Sequence, residues 1–218
     1  IVNSVGAYLL LWVLMVLALK VSIWLALPLI VLAAGFLTRV FIIFHDCGHG
    51  SFFRSKKLNE AVGKACGILA FTPYHRWTDS HRIHHQTVGN LDKRGYGDVW
   101  TLTVEEYLTR SLWQRFIYRL FRHPLFLLCI GGPLMFVVTN RITTRRMTWK
   151  QRRDIYFTNA VIIAVAVGMS WLIGWQAFLL IQLPVMYFAA IGGIYLFYLQ
   201  HQYEEVYWCR EKDWDYKK

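Results

Sequence analysis

Cysteine and charge are both scarce in this 218-residue sequence. The four cysteines (Cys47, Cys66, Cys129 and Cys209) form no Cys-x-x-Cys pair, which argues against a disulfide framework and against a thiolate metal site. Charged residues make up only 17% of the chain, and acidic ones are fewer still, 13 against 24 lysines and arginines, for a net charge of +11. What fills the chain instead is apolar: 56% hydrophobic and 17% aromatic residues, where an ordinary soluble domain has about 45–50% apolar residues. A water-soluble monomer is not built this way. High apolarity with a basic excess points to membrane helices joined by basic loops. The sequence has no low-complexity tract, no linker and no repeat beyond two helical hairpins, so residues 1–218 read as one domain. It opens at Ile1 without a methionine or a charged leader, and a fragment is the expectation, incomplete at the C-terminus, with a further missing stretch at the N-terminus as the alternative.

A helix needs about 20 apolar residues to cross a hydrocarbon layer of roughly 30 Å. Residues 5–19 and 23–44 form one hairpin and residues 155–173 and 177–199 a second. A fifth apolar stretch, residues 124–139, is marginal in length and carries Gly131, Gly132 and Pro133 at its centre. Arg110, Arg115, Arg119 and Arg122 precede it, and Arg141, Arg145, Arg146, Lys150, Arg152 and Arg153 follow it. Positive charge on both flanks puts both ends in the cytoplasm, so the stretch is expected to dip in and return or to lie at the interface. The predicted fold is an all-α multi-pass membrane protein: two transmembrane hairpins, one re-entrant or interfacial segment, and a cytoplasmic histidine-rich region. Residues 107–122 set Arg115, Arg119 and Arg122 on one helical face, with Leu112, Phe116 and Leu120 elsewhere among apolar neighbours, the pattern of a basic interfacial helix; a solvated helix is the alternative.

Eight histidines are the metal-capable residues. His45 and His49 are one helical turn apart at the end of the second apolar run, so a helix that continues past the membrane puts both imidazoles on one face. In His81-Arg82-Ile83-His84-His85, His81 can share a sector with either His84 or His85, which themselves diverge by about 100°. Five histidines in two clusters exceed what one closed tetrahedral zinc needs, which points to a dinuclear site. His201 follows the last apolar run and returns to the same side. His75 and His123 read as structural or surface residues.

His45-Asp46-Cys47-Gly48-His49 and His81-Arg82-Ile83-His84-His85, each just past a hydrophobic segment, resemble the first and second histidine boxes of the membrane fatty acid desaturases. Gly50-Ser51-Phe52-Phe53, Thr72-Pro73-Tyr74-His75-Arg76-Trp77 and Gly89-Asn90-Leu91-Asp92 around them agree, and Lys93-Arg94-Gly95-Tyr96-Gly97-Asp98-Val99-Trp100 looks most like the bacterial acyl-lipid branch. The resemblance implies two non-haem iron ions held by histidines, with O2 and two electrons removing two hydrogens from an alkyl chain to leave a cis double bond. His45, His49, His81, His84, His85 and His201 match the family's ligand positions. Asp46, Asp98 and Glu204 are the candidate acceptors for imidazole N–H groups, a solvated surface role being the alternative.

The resemblance also implies a membrane lipid or acyl-CoA substrate, a ferredoxin or cytochrome b5 as electron donor, and no nucleic-acid partner. Anionic headgroups are a second explanation of the basic loops. The family's third box, of the His-x-x-His-His type, is missing before Lys218, so this polypeptide alone is expected to be inactive. A membrane hydroxylase or carotenoid ketolase with the same boxes is the nearest rival, and a membrane metal carrier or cytochrome a more distant one.

Overall fold

The computed structural model describes residues 1–95, 97–202 and 204–215. Among them the regular structure is helical, and the only β feature is an isolated bridge between Asn90 and Cys209. A π-helical turn (Val2–Gly6) runs into α1 (Ala7–Leu19), and α2 (Ile23–Gly48) returns beside it. Ser22 ends the connection by accepting a hydrogen bond from the Trp24 N–H, satisfying an orphan donor of the new helix. α9 (Trp149–Ile173) and α10 (Trp175–His201) form the second hairpin. Gly174 reverses the chain between them at φ +87°, a conformation that a side chain disfavours.

These helices outlast their apolar stretches. α2 has 26 residues, about 39 Å at 1.5 Å per residue, so it carries His45 beyond a 30 Å layer. α9 starts six residues before the apolar run at 155–173, because Thr148 and Gln151 form a reciprocal capping box ahead of the charged first turns.

α2 is the central rod. Its Ala33, Ala34, Leu37, Val40 and Phe44 are buried in one core with Leu11 and Met15 of α1 and Ile181, Val185 and Met186 of α10. The opposite faces expose large apolar side chains, with Trp171 at 89% and Trp24 at 75%. In water such a surface would be an aggregation liability; in hydrocarbon it is the natural outer face. Five helical segments are long and apolar enough to cross a membrane, and with them the chain has the build of an all-α multi-pass membrane protein.

The fifth segment comprises α7 (Pro124–Phe126), a π-helical turn (Leu127–Gly131) and α8 (Gly132–Val137). Gly131 and Gly132 keep helical dihedrals, so the chain does not turn back at the centre of this stretch. Gly132 serves packing instead: a Cβ there would lie 2.9 Å from Ile194 and 3.2 Å from the Ala190 carbonyl oxygen of α10. Residues 107–122, read above as one helix, are two, α5 (Val104–Leu108) and α6 (Leu112–Arg122). Ser111 breaks the run by taking the N-cap of α6, in a capping box with Gln114.

The polar layer is built on α3 (Lys56–Leu69) and α4 (Tyr74–Thr87). α4 follows Pro73 with no cap of its own; the cap comes from α9. Buried Asp154 accepts hydrogen bonds from the backbone N–H groups of His75 (2.8 Å) and Arg76 (3.2 Å), at the positive end of the α4 dipole. Arg76 in turn donates to the Thr139 carbonyl (2.9 Å) and to Asn140 Oδ1 (3.2 Å). Arg141 donates to the carbonyl of Phe71, which sits in the left-handed region at φ +53° in the α3–α4 corner. Residues 139–154 thus clasp the start of α4.

Candidate metal centre

α2 and α4 bring two pairs of imidazoles face to face. The Nε2 of His81 lies 3.0 Å from that of His45, 3.1 Å from that of His49 and 3.0 Å from that of His85, and the His45 and His49 Nε2 atoms are 3.3 Å apart. One nitrogen from each of the four lies within 4.8 Å of all the others. Burial, reinforced by the surrounding imidazoles, lowers the His81 pKa to about 2, and burial first and neighbouring imidazoles second also lower those of His49 and His85. These rings are therefore neutral near pH 7, with lone pairs available to an ion. Four converging imidazole nitrogens without sulfur are a donor set suited to a borderline transition metal, iron included.

The α4 helix resolves which histidine partners which. His81 and His85, one turn apart, join the first group, while His84 points away from it. His84 is 1% exposed, and its Nε2 lies 3.2 Å from the Nε2 of His201, the last residue of α10. Phe197, one turn earlier on α10, packs against both rings at centroid distances of 5.6 and 4.6 Å.

Two of the three candidate carboxylates reach a histidine. Asp98 Oδ1 is 2.9 Å from His84 Nδ1 and is itself nearly buried, with a further hydrogen bond from the Gly95 N–H to its Oδ2. Asp46 Oδ1 is 3.0 Å from His45 Nδ1. A carboxylate that accepts from Nδ1–H fixes the tautomer and leaves the Nε2 lone pair facing inward. Glu204 is exposed, and among the described residues no hydrogen bond joins it to a histidine. His75 pairs with Glu60 at 3.1 Å, and exposed His123 caps the end of α6; both stand outside the cluster.

A family model described as fatty acid desaturase matches residues 22–217. The chain belongs to the fatty acid desaturase family. It is 46% identical over 206 residues to a fatty acid desaturase of Bacillus subtilis, an alignment that covers 94% of this chain and 58% of the relative. It is 29% identical over 210 residues to a Synechocystis protein named sn-1 acyl-lipid omega-3 desaturase (ferredoxin), covering 89% of this chain and 55% of that one. The chain thus spans a little over half the length of these curated relatives. No solved structure matches it. Family membership and the five apolar helices together make it an integral membrane protein.

The desaturase-family chain also holds site residues that sequence reasoning passed over. Trp77 stacks on His81, with ring centroids 4.1 Å apart and planes 22° apart, and it also touches Phe41 and Phe44 of α2. Its spacing of one helical turn before His81 was the available signal. The loop that carries Asp98 is stitched to the chain after His201. Arg210 bonds Asp92 at 2.6 Å and Glu106 at 3.2 Å, and Glu211 receives Lys93 and the Asn90 amide, both at 2.6 Å. Arg94 beside Glu106, helped by the Thr103 N–H, holds that carboxyl down at about 2, so the cluster stays charged through the physiological range.

Alanine at Asp98 is expected to weaken metal binding about 10–100-fold by freeing the His84 ring. Chelator competition on the purified protein measures this, and an unchanged affinity would remove Asp98 from the site.

Proposed function

We propose that the protein this chain comes from desaturates the acyl chains of membrane lipids, using O2 and two electrons at iron held by His45, His49, His81, His84, His85 and His201. The observation that carries the reading is a small apolar pocket between α2, α8 and α10, joined through Phe41 and Trp77 to the first group of histidines. Leu37 and Phe41 of α2, Phe136 of α8, and Met186 and Gly193 of α10 line it. Its one hydroxyl, Thr38 Oγ1, is committed to the carbonyls of Ala34 and Ala189, which leaves an unreactive apolar wall suited to an alkyl chain. Phe41 is the link: it lines the cavity and meets Trp77 edge-on at 5.7 Å, and Trp77 covers His81.

Iron would supply the one-electron and oxygen chemistry that an unactivated C–H bond demands and no side chain offers. The chain's own residues do the rest. Imidazole Nε2 atoms face the metal position, and Asp46 and Asp98 hold two of the rings in register. Trp77, Phe41 and Phe44 keep water from the histidines on the pocket side, and the apolar side chains of α2 and α10 are the surface offered to the alkyl chain.

His84 and His201 are two donors, too few for a closed site, and the remaining donors are assigned to parts of the protein outside residues 1–218. The histidine face is placed in the cytoplasm, on the side of the basic flanks. A ferredoxin is the proposed electron donor, in line with the names of the acyl-lipid relatives.

Expression of the complete gene in a host that makes only saturated acyl chains, followed by mass spectrometry of its lipids, tests the reading. New cis double bonds are expected, with about two irons per chain. Hydroxylated or keto products would replace desaturation by oxygen insertion, and haem in place of iron would end the reading altogether.

A further inference from the structure

α6 belongs to neither hairpin, and none of its residues is buried. Its apolar side chains gather on one side. At 100° per residue, Leu112, Phe116, Leu120, Trp113 and Ile117 fall within an arc of about 140°. They are exposed, Leu112 at 82%, Trp113 at 68% and Phe116 at 53%. This face is unpartnered, while the other side of the helix is occupied. Tyr118 accepts a hydrogen bond from the Leu102 N–H and meets Trp100 edge-on, and Arg122 donates to Gln202 Oε1 at 2.8 Å, next to His201.

Two further observations say what covers the open face. First, cations border it along one edge: Arg119, held by the Tyr107 hydroxyl, and Arg115, held by the backbone carbonyls of Leu108 and Arg110, lie next to the Leu112 side of the apolar arc, and Arg110 precedes the helix. No acidic residue lies between Ser111 and Arg122. Second, the exposed apolar surface runs on past His123 into Leu125, Ile130 and Leu134 of the fifth membrane-length segment, so one end of α6 is fixed at the membrane boundary.

We propose that α6 lies in the plane of the membrane surface, with Trp113, Phe116 and Leu120 in the acyl-chain boundary and its arginines among anionic headgroups. An apolar arc with aromatic anchors and a cationic border is what an anionic lipid interface binds. A soluble acidic protein fits less well, because its charge would match the border while leaving the aromatic face wet. The inference stands apart from the reaction proposed above. It gives the bilayer itself a place in the site's architecture, since α6 braces the segment just after Asp98 through Tyr118 and the end of α10 through Arg122.

The test uses single nitroxide labels on Trp113→Cys, Phe116→Cys and Gln114→Cys, in the complete protein with its native cysteines replaced by alanine. The protein is reconstituted in vesicles containing phosphatidylglycerol. Labels at 113 and 116 are expected to relax more with membrane-dissolved O2 than with a water-soluble nickel complex, the label at 114 the reverse, and the contrast to shrink in purely zwitterionic vesicles. Equal nickel accessibility at all three positions, or protection of 113 and 116 that appears only on adding an acidic ferredoxin, would overturn the proposal. Labelling at both positions guards against one variant failing to fold, because either alone reports the face.

Discussion

Replacing His81 by alanine is expected to empty the first metal position. His81 is the only histidine of that group whose Nε2 lies within 3.1 Å of the other three, so its loss removes the centre of the cluster. Removing a residue that merely orients a ligand costs about 10–100-fold in metal affinity or activity, and deleting this ligand should exceed about 100-fold. It also leaves Trp77 without the ring on which it stacks. Iron per chain and acyl-chain desaturation, measured on the complete protein, are expected to fall together. Normal iron content in His81→Ala would place the metal elsewhere.

The second large effect is expected far from the metal, at Asp154. Its carboxylate accepts two backbone N–H groups at the start of α4, and truncation leaves both donors buried without a partner. Hydrogen bonds to a charged group are worth about 1.5–3 kcal/mol each, and the two share one carboxylate oxygen, so Asp154→Ala should destabilise the protein by about 3 kcal/mol. Asp154→Asn retains an acceptor and loses the charge opposite the helix dipole, which should cost about 1 kcal/mol. Because α4 carries His81, His84 and His85, metal affinity should follow the same order, with Ala weakest and Asn between it and the parent. Thermal unfolding in detergent and chelator competition, run on the same three proteins, measure both. Lowered stability with unchanged metal affinity would show that the clasp holds the fold without aligning the histidines.

Much of the site was legible because helical spacing carries it. His45 and His49 share a face on any helix that continues past residue 44, and α2 does so. The choice between His84 and His85 as partner of His81 was not legible: both spacings are helical, and only the positions of α2 and α10 separate them. Asp154 was hidden for a related reason. Hydropathy marks where hydrocarbon begins, at residue 155, and says nothing of a helix that starts earlier to reach a partner 79 residues upstream. The break at Ser111 was written in its Ser-x-x-Gln capping box, but the apolar and basic periodicity running from residue 107 to 122 concealed it. The dip and return, or interfacial course, expected of residues 124–139 rested on the basic flanks at both ends, and flanking charge carries no information on Gly132, which sits where it meets Ile194 and Ala190 of α10.

The two histidine groups also differ in when the growing chain can close them. His45 and His81 are 36 residues apart, whereas His84 and His201 are separated by 117. The longer closure costs about 1 kcal/mol more in chain entropy, and it must wait for the second hairpin to be made. During N-to-C synthesis the first cluster can therefore assemble on a half-built protein, and the clasp of Asp154 on α4 tightens it afterwards. The pair at the end of α10 is thus the later of the two to form.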